Sequence, residues 1–167
     1  NITAAIAHRG WFRTPHMIKK IGGETIDIPK YTERKFTTID PRHFEPVVRG
    51  MADVYNKGTA KWLRIPGVEI AGKTGTVENY TIIDGVRTQL TDHSLFVAFA
   101  PVDKPQIALA VYIEHGYYGA RYAGHIASLL IEKYLKGEIS RTDLERRMLE
   151  KTLEHEYAKP HSGEAFE

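Results

Sequence analysis

The sequence predicts an α+β fold, an antiparallel sheet with helices packed on its faces, from three observations. Two strongly apolar segments rich in β-branched and aromatic residues, 94–100 and 106–114, have the length of strands and follow each other closely. Apolar residues at helical spacing precede them from 44 to 55 and follow them from 120 to 135. No apolar run reaches the roughly 18 residues that span a bilayer.

The composition fits one globular domain and excludes several functions. The chain has 167 residues, of which 42% are hydrophobic and 26% charged, enough for a proper core. Its 23 Lys and Arg against 21 Asp and Glu give a formal charge of +2, which indicates no nucleic-acid partner. The absence of cysteine excludes thiol catalysis, disulfides and cysteine metal sites. Nothing in the sequence calls for a cofactor.

The first forty residues predict short elements. Residues 1–8 have the apolar spacing of a short helix, with Gly10 as its C-cap. An extended segment over 15–21 leads into a turn at Gly22-Gly23. Because Pro29 interrupts a weak alternation, residues 25–35 are predicted to be a loose or edge strand.

The middle of the chain predicts a helix, a loop and a hairpin. Asp40-Pro41 places a side-chain acceptor at an N-cap and proline at the first helical position, ahead of the apolar helix. A loop from Asn56 to Gly67 precedes a predicted strand over 68–77. Asp84-Gly85 is a typical hairpin turn, so three or four antiparallel neighbours are expected in sequence.

The last third predicts two helices and a tail. The centre of the 120–135 helix is apolar nearly all round and should be buried, with Gly137 ending the helix. Ser140 is the expected N-cap of a charged amphipathic helix that packs on its own domain, within residues 138–159. Residues 160–167 are predicted to be a disordered tail, which leaves 1–137 as the domain proper.

One stretch supports two incompatible chemistries. Residues 67–74 match the phosphate-loop pattern G-x-x-x-x-G-K-[ST], whereas Lys73-Thr74-Gly75-Thr76 is also a motif of serine acyl-transfer sites. A phosphate loop needs a preceding apolar strand, small residues in the loop and a helix beginning at its lysine. The sequence instead places Val68, Glu69 and Ile70 in the loop and poor helix formers after Thr74. A nucleotide-binding protein is therefore the disfavoured interpretation.

Interpreted as a strand, the same residues form part of a binding site. Lys73 supplies a cation for a substrate carboxylate, Thr74 and Thr76 supply hydroxyl groups, and the N–H near Thr76 can stabilise an oxyanion. Gly72 and Gly75 leave room for another backbone, such as a peptide that adds alongside the strand. On the four residues alone an ordinary exposed strand lysine beside a bulge is the favoured interpretation, because a tetrapeptide is weak evidence.

Two other sets of residues are weaker candidates. His93, His115 and His125 fit no compact ligand spacing, so no metal site is predicted. Tyr117 and Tyr118, between Gly116 and Gly119, are candidates to line a substrate groove beside the strand, although plain packing explains them equally well.

Several blocks taken in order resemble the class B penicillin-binding proteins of the cell-elongation type, penicillin-binding protein 2. These blocks are 71–76, 93–101 and the strand that ends at Glu114 before a Gly-aromatic loop and a buried helix, preceded by 1–10, 14–16 and 47–51. The resemblance covers roughly residues 1–137 and implies part of the transpeptidase fold that these proteins share with β-lactamases.

The resemblance implies a function for the whole protein. Members are periplasmic D,D-transpeptidases, held to the inner membrane by an N-terminal helix, that cross-link peptidoglycan through an acyl-serine and are inhibited by β-lactams. It implies that Lys73 hydrogen-bonds a loop serine, that Thr74, Gly75 and Thr76 bind the carboxylate of D-Ala-D-Ala or of the drug, and that Thr76 gives an oxyanion N–H. The family's Ser-x-x-Lys and Ser-x-Asn motifs occur nowhere in the 167 residues.

We therefore expect a piece of a longer protein. The chain begins at Asn1 without a methionine, and acyl transfer needs the nucleophile and base that those two motifs supply. The isolated chain is expected to be inactive, to need the remaining half of the domain as its partner and to self-associate through uncovered apolar surface. The alternative is a non-catalytic binding or structural module with the same half-fold.

Overall fold

The structure, a computed structural model, describes residues 1–158, in which six α-helices and seven β-strands are formed. The helices are α1 (Ile2–Ala7), α2 (Pro29–Thr32), α3 (Phe44–Asn56), α4 (Ala123–Lys136), α5 (Thr142–Leu149) and α6 (Glu154–Tyr157). The strands are β1 (Trp11–Phe12), β2 (Lys20–Ile21), β3 (Glu24–Thr25), β4 (Lys35–Phe36), β5 (Ala71–Ile83), β6 (Val86–Ala100) and β7 (Ile107–Ile113). Among the described residues, none of the helices combines the length and apolar character that crossing a membrane requires.

The central sheet is antiparallel in the order β5-β6-β7, which confirms the predicted α+β class. The predicted turn at Asp84-Gly85 is confirmed, because Ile83 pairs with Val86 and both turn residues have positive φ, 51° and 79°. β7 pairs only with residues 94–100 of β6. The far half of the β5–β6 hairpin therefore extends past β7 as a two-stranded arm.

One face of the sheet is closed by α4. Phe96 and Ala98 of β6 are fully buried in a core that includes Ala123 and Ile131 of the helix. The prediction of a buried helix is confirmed in the main, although Leu130 is 49% exposed. Gly137 ends α4 in the left-handed region, at φ 80°, and its N–H donates to the Lys133 carbonyl.

The opposite face is covered at one end only. Ala71 and Phe99 are buried there against α1 and α3, in a cluster that includes Ala7, Val48 and Met51. The next rows of this face carry three exposed side chains, since residues opposite each other in an antiparallel pair point the same way. These residues are Lys73, Ala110 and Tyr112, the last 48% exposed. We call this uncovered area the open face.

The start of α3 follows the predicted capping signal. Asp40 Oδ1 accepts the Arg42 N–H at 3.0 Å, and Pro41 opens a 3₁₀ turn that runs directly into the helix. Proline fits there because its missing N–H and fixed φ cost nothing in a first turn. Gly10 lies just after the end of α1. Its φ is 111° and its N–H donates to the Ala5 carbonyl, a pattern typical of a glycine that ends a helix.

The predicted strand over 25–35 is wrong. Its centre is helix α2, which begins at Pro29, because proline pre-sets the helical φ at a first helical position. The extended segment over 15–21 is a strand only at Lys20–Ile21, where the predicted Gly22-Gly23 turn joins β2 to β3. The strand predicted over 68–77 begins later and runs longer, as β5.

The C-terminal segment also differs from the prediction. Ser140 does not cap a helix, because its hydroxyl donates to Glu132 Oε1 at 2.6 Å, and α5 has Arg141 at its N-cap position. The single charged helix expected within 138–159 is divided into α5 and α6, where the Thr152 hydroxyl accepts the Glu154 N–H at 3.1 Å. The predicted disordered tail, 160–167, lies outside the described residues.

Candidate functional site

Lys73-Thr74-Gly75-Thr76 lies on β5, which forms one edge of the central sheet within residues 1–158. Lys73 pairs with Val97 and Thr76 with Ser94. The whole stretch is strand and no helix begins at Lys73, so the phosphate-loop interpretation fails on its geometry. An edge strand keeps alternate N–H and C=O groups unpaired, and an extended peptide can pair with them.

The glycines of this strand have different neighbours. A Cβ on Gly72 would lie 2.9 Å from Tyr55 Cε2 and 3.0 Å from Phe96 Cε1, so the close packing of α3 on β5 requires glycine there. At Gly75 the close backbone belongs to this chain, because a Cβ on Gly119 would lie 2.6 Å from the Gly75 carbonyl oxygen. The loop after β7 therefore lies directly against the candidate strand.

The polar side chains of the motif are accessible. Lys73 is exposed, and its Nζ donates to the Thr74 carbonyl at 2.6 Å. None of the ion pairs formed within residues 1–158 includes Lys73. Thr74 is half-buried and Thr76 is exposed. A carboxylate beside this edge would meet a cation and two hydroxyl groups, which is a suitable set of partners for it.

The two candidate tyrosines differ in their contacts within the chain. The Tyr117 N–H donates to the Asp92 carbonyl at 2.9 Å, its hydroxyl donates to Glu156, and the Arg121 guanidinium lies 4.0 Å from its ring centroid. The hydrogen bond to Glu156, together with burial, raises the pKa of Tyr117 above its ordinary value. Tyr118 has a side chain 55% exposed. Tyr117 is thus held by the chain itself, while Tyr118 is free to contact a ligand.

Ser94 connects the strand to the loop, a role that sequence reasoning missed. It is fully buried, its hydroxyl donates to the Tyr118 carbonyl at 3.0 Å, and the same oxygen accepts the Ala123 N–H at 3.2 Å. With both hydrogen bonds made, this serine fixes the start of α4 and the loop beside Thr76. It has no exposed hydroxyl to act as a nucleophile.

The histidines do not form a cluster of three. His93 Nδ1 accepts the His115 N–H at 3.0 Å, whereas His125 Nδ1 contacts the Arg121 carbonyl at 2.8 Å, on the first turn of α4. Burial lowers the pKa of His125 below its ordinary value. Across residues 1–158, no group of three His, Cys, Asp or Glu side chains is placed to hold a metal ion.

Comparison with known proteins identifies the family to which the chain belongs. Residues 1–132 match the model of the penicillin binding protein transpeptidase domain. Peptidoglycan D,D-transpeptidase MrdA of Acinetobacter baumannii is 35% identical over 131 residues, 72% of this chain and 19% of that protein. Peptidoglycan D,D-transpeptidase PbpA of Mycobacterium tuberculosis is 31% identical over 146 residues, 82% of this chain and 28% of that protein.

Solved structures give the same picture. The imipenem acyl-enzyme complex of penicillin-binding protein A from M. tuberculosis superposes with a TM-score of 0.64 at 28% identity, covering 80% of this chain and 29% of that one. Pseudomonas aeruginosa PBP2 in complex with WCK 5153 superposes with a TM-score of 0.62 at 29% identity, covering 84% of this chain and 30% of that one.

The antiparallel sheet with its flanking helices matches part of the transpeptidase fold, as the sequence predicted. The chain belongs to the penicillin-binding protein transpeptidase-domain family. It spans about a fifth to a quarter of the length of the curated relatives it matches, 19% and 24% for the two MrdA proteins of A. baumannii and Haemophilus influenzae.

Proposed function

We propose that this chain is one part of a peptidoglycan D,D-transpeptidase and supplies the carboxylate-binding and oxyanion wall of its active site. The observation that carries the proposal is the Lys-Thr-Gly-Thr motif on an exposed edge strand, inside the stretch that matches the transpeptidase domain. The relatives named peptidoglycan D,D-transpeptidase support the reaction, and the acyl-enzyme complex of a structural relative supports β-lactams as inhibitors.

Each residue of the motif has a role in this proposal. The exposed Lys73 ammonium raises the local positive potential and hydrogen-bonds a serine of the rest of the domain. Thr74 and Thr76 hold the terminal carboxylate of a stem peptide ending in D-Ala-D-Ala, or of the drug, while Gly75 lets the ligand approach. The N–H of Thr76 donates to the oxyanion that forms as the acyl bond is attacked.

The nucleophile in this proposal comes from another part of the protein. None of Ser94, Ser128, Ser140 and Ser162 has lysine at the third position after it, and no Ser-x-Asn occurs in the 167 residues. The open face supports a missing partner, because exposed Ala110 and Tyr112 lie on the same face of the sheet as Lys73. We infer that the remaining half of the transpeptidase domain packs there and brings Ser-x-x-Lys to the motif.

The first experiment separates the chain from the whole enzyme. The 167-residue chain and the complete protein are incubated with a fluorescent penicillin and resolved by denaturing electrophoresis. We expect a labelled band for the complete protein and none at 18.9 kDa, because the chain has no activated serine. A stable band at 18.9 kDa would refute the proposed division of the site. An unlabelled complete protein would favour a non-catalytic binding module.

A second experiment tests the motif. In the complete protein, Thr76→Val should raise the acylation barrier by about 2 kcal/mol, because it removes the hydroxyl that hydrogen-bonds the ligand carboxylate while the backbone N–H stays in place. Thr81→Val makes the same change on the same strand, five residues further along, and should leave the rate unchanged. Equal rates for wild type and Thr76→Val would remove the Thr76 hydroxyl from the site.

Two properties of the chain follow from the proposal. Uncovered apolar side chains, among them Ile2, Met17, Phe36 and Trp62, should drive self-association of the isolated chain. Light scattering that shows a stable monomer would contradict an exposed half-domain interface. The complete protein is proposed to act on the periplasmic side of the inner membrane, where peptidoglycan is assembled, held by an N-terminal membrane anchor.

A further inference from the structure

Helix α6 lies beyond the stretch matched by the family, yet it places a buried acidic side chain beside the candidate site. The Glu156 side chain is fully buried; Thr91 Oγ1 donates to its Oε2 at 2.5 Å and the Tyr117 hydroxyl donates to its Oε1. Burying a carboxyl group is costly unless its oxygens accept hydrogen bonds. These two donors, 65 and 39 residues away in sequence, are therefore among the groups that hold α6 in place, and His155 Nε2 of the same helix lies 3.1 Å from Oε1.

A second contact fixes the same helix. The Tyr157 ring meets the His115 ring edge-on at 4.8 Å between centroids, and its hydroxyl lies 3.4 Å from Glu114 Oε2. Glu156 and Tyr157 thus contact both ends of the segment 114–117. The helix holds the loop after β7 from outside the sheet.

The loop in turn determines what lies against the motif. The Tyr117 backbone has φ 65°, a conformation that costs a non-glycine residue free energy and persists only when its surroundings impose it. Two residues on, Gly119 meets the backbone of Gly75, and the Tyr118 carbonyl accepts the Ser94 hydroxyl. A loop released at Tyr117 would therefore change the contacts at Gly75.

We propose that Glu156 is a positioning residue for the transpeptidase site: by holding the Tyr117 hydroxyl, it keeps the 115–119 loop against Gly75 of the candidate strand. The inference rests on the proposed function for its consequence in catalysis, but the contact itself belongs to this chain. Small displacements of positioning groups reduce rates strongly even when they touch no reacting atom.

The contact is tested first on the 167-residue chain. Glu156→Ala and Tyr117→Phe each remove the hydrogen bond and should speed amide exchange of residues 115–119 about tenfold, while residues 94–100 stay protected. Glu154→Ala, an exposed glutamate on the same helix, is the matched control and should change neither segment. Glu156→Gln keeps an oxygen that accepts from Tyr117 and should retain most of the protection.

Catalysis is tested on the complete transpeptidase with the same variants and a fluorescent penicillin. Glu156→Ala should lower the second-order acylation rate constant about tenfold, Glu156→Gln should restore it, and the double variant with Tyr117→Phe should be no worse than Glu156→Ala. Unchanged loop exchange in Glu156→Ala, or a loosened loop with an unchanged acylation rate, would overturn the inference. A wild-type protein that is not acylated contradicts the proposed function instead, and the exchange result still decides whether Glu156 holds the loop.

Discussion

The two faces of the β5–β6–β7 sheet are built from the same strands but differ in how they are covered. Phe96 is fully buried under α4, whereas its neighbour Val97 faces the other way and is only half-buried. Lys73 shares the face of Val97, beyond the end where α1 and α3 pack. The comparison teaches that buried packing is concentrated on the α4 face, while the open face leaves the side chain of Lys73 accessible.

The largest expected effect comes from the α4 face. Phe96→Ala should lower the free energy of unfolding by about 3–5 kcal/mol, because it leaves a cavity between β6 and α4. Val97→Ala, one residue along the same strand, should cost about 1 kcal/mol, since its methyl groups are only partly buried. Denaturant unfolding of both variants measures the difference. Equal costs would mean that the open face is covered in solution.

A buried ion pair between α4 and the segment that follows it gives the next effect. Glu132 is fully buried and accepts from Arg141 Nε at 2.8 Å and from the Ser140 hydroxyl. Burial alone would raise the pKa of Glu132, but the hydrogen bonds from Ser140 and Arg141 and the arginine charge outweigh it and lower the pKa. Its contribution is therefore present above the ordinary glutamate pKa and is lost as pH falls through the lowered value.

We accordingly expect Glu132→Gln to lower the free energy of unfolding by about 3 kcal/mol at pH 7, because it breaks a buried pair. The difference from wild type should shrink as the pH falls below the ordinary glutamate pKa of about 4.3, because the unfolded chain then binds a proton at this position more readily than the folded chain does. Glu138→Gln, on the exposed segment after α4, is the matched control and should leave the profile unchanged. A difference that is constant from pH 7 to pH 3 would contradict the lowered pKa.

A smaller effect is expected where the loop meets the candidate strand. Gly119→Ala should cost about 2 kcal/mol, since the new methyl group would lie 2.6 Å from the Gly75 carbonyl oxygen and the backbones must separate. Gly50→Ala makes the same change in an exposed position of α3 with nothing within 4 Å, and should stabilise by up to about 1 kcal/mol. Effects of the same sign would show that the Gly119 contact is not formed.

The smallest effect is expected on the open face itself. Lys73→Ala removes an exposed side chain whose hydrogen bond is to an adjacent carbonyl, so stability should change by less than about 0.5 kcal/mol. In the complete protein the same substitution should nevertheless abolish most acylation. A large loss of stability in the chain alone would make Lys73 a structural residue.

Local signals in the sequence predicted the elements that depend on local chemistry. Asp40-Pro41 and Asp84-Gly85 specify a helix start and a hairpin turn through their own backbone preferences, and both are confirmed. Pro29 was misread, because proline fits a first helical turn as well as it interrupts a strand. The roles assigned to Lys73, Thr74, Gly75 and Thr76 stay predictions. The structure places these residues on β5, beside the loop that follows β7.

The parts that could not be predicted depend on contacts between distant residues. Ser140 has the local pattern of an N-cap, but the buried Glu132 carboxylate, eight residues earlier, recruits its hydroxyl. In the sequence Glu156 resembles an ordinary surface glutamate, because only the fold brings Thr91 and Tyr117 within hydrogen-bonding distance of it. The spacing of residues along the sequence does not predict such long-range contacts.

The two-stranded arm beyond β7 has a practical use. Its Asp84-Gly85 turn is exposed, and Gly85 has nothing within 4 Å of where a Cβ would be. Turns of this kind accept inserted peptides and new chain ends. At about 3.3 Å per residue, the turn lies about 36 Å along the strand direction from Lys73. A dye or affinity tag inserted there would test the proposed assembly with the rest of the domain while leaving the motif untouched.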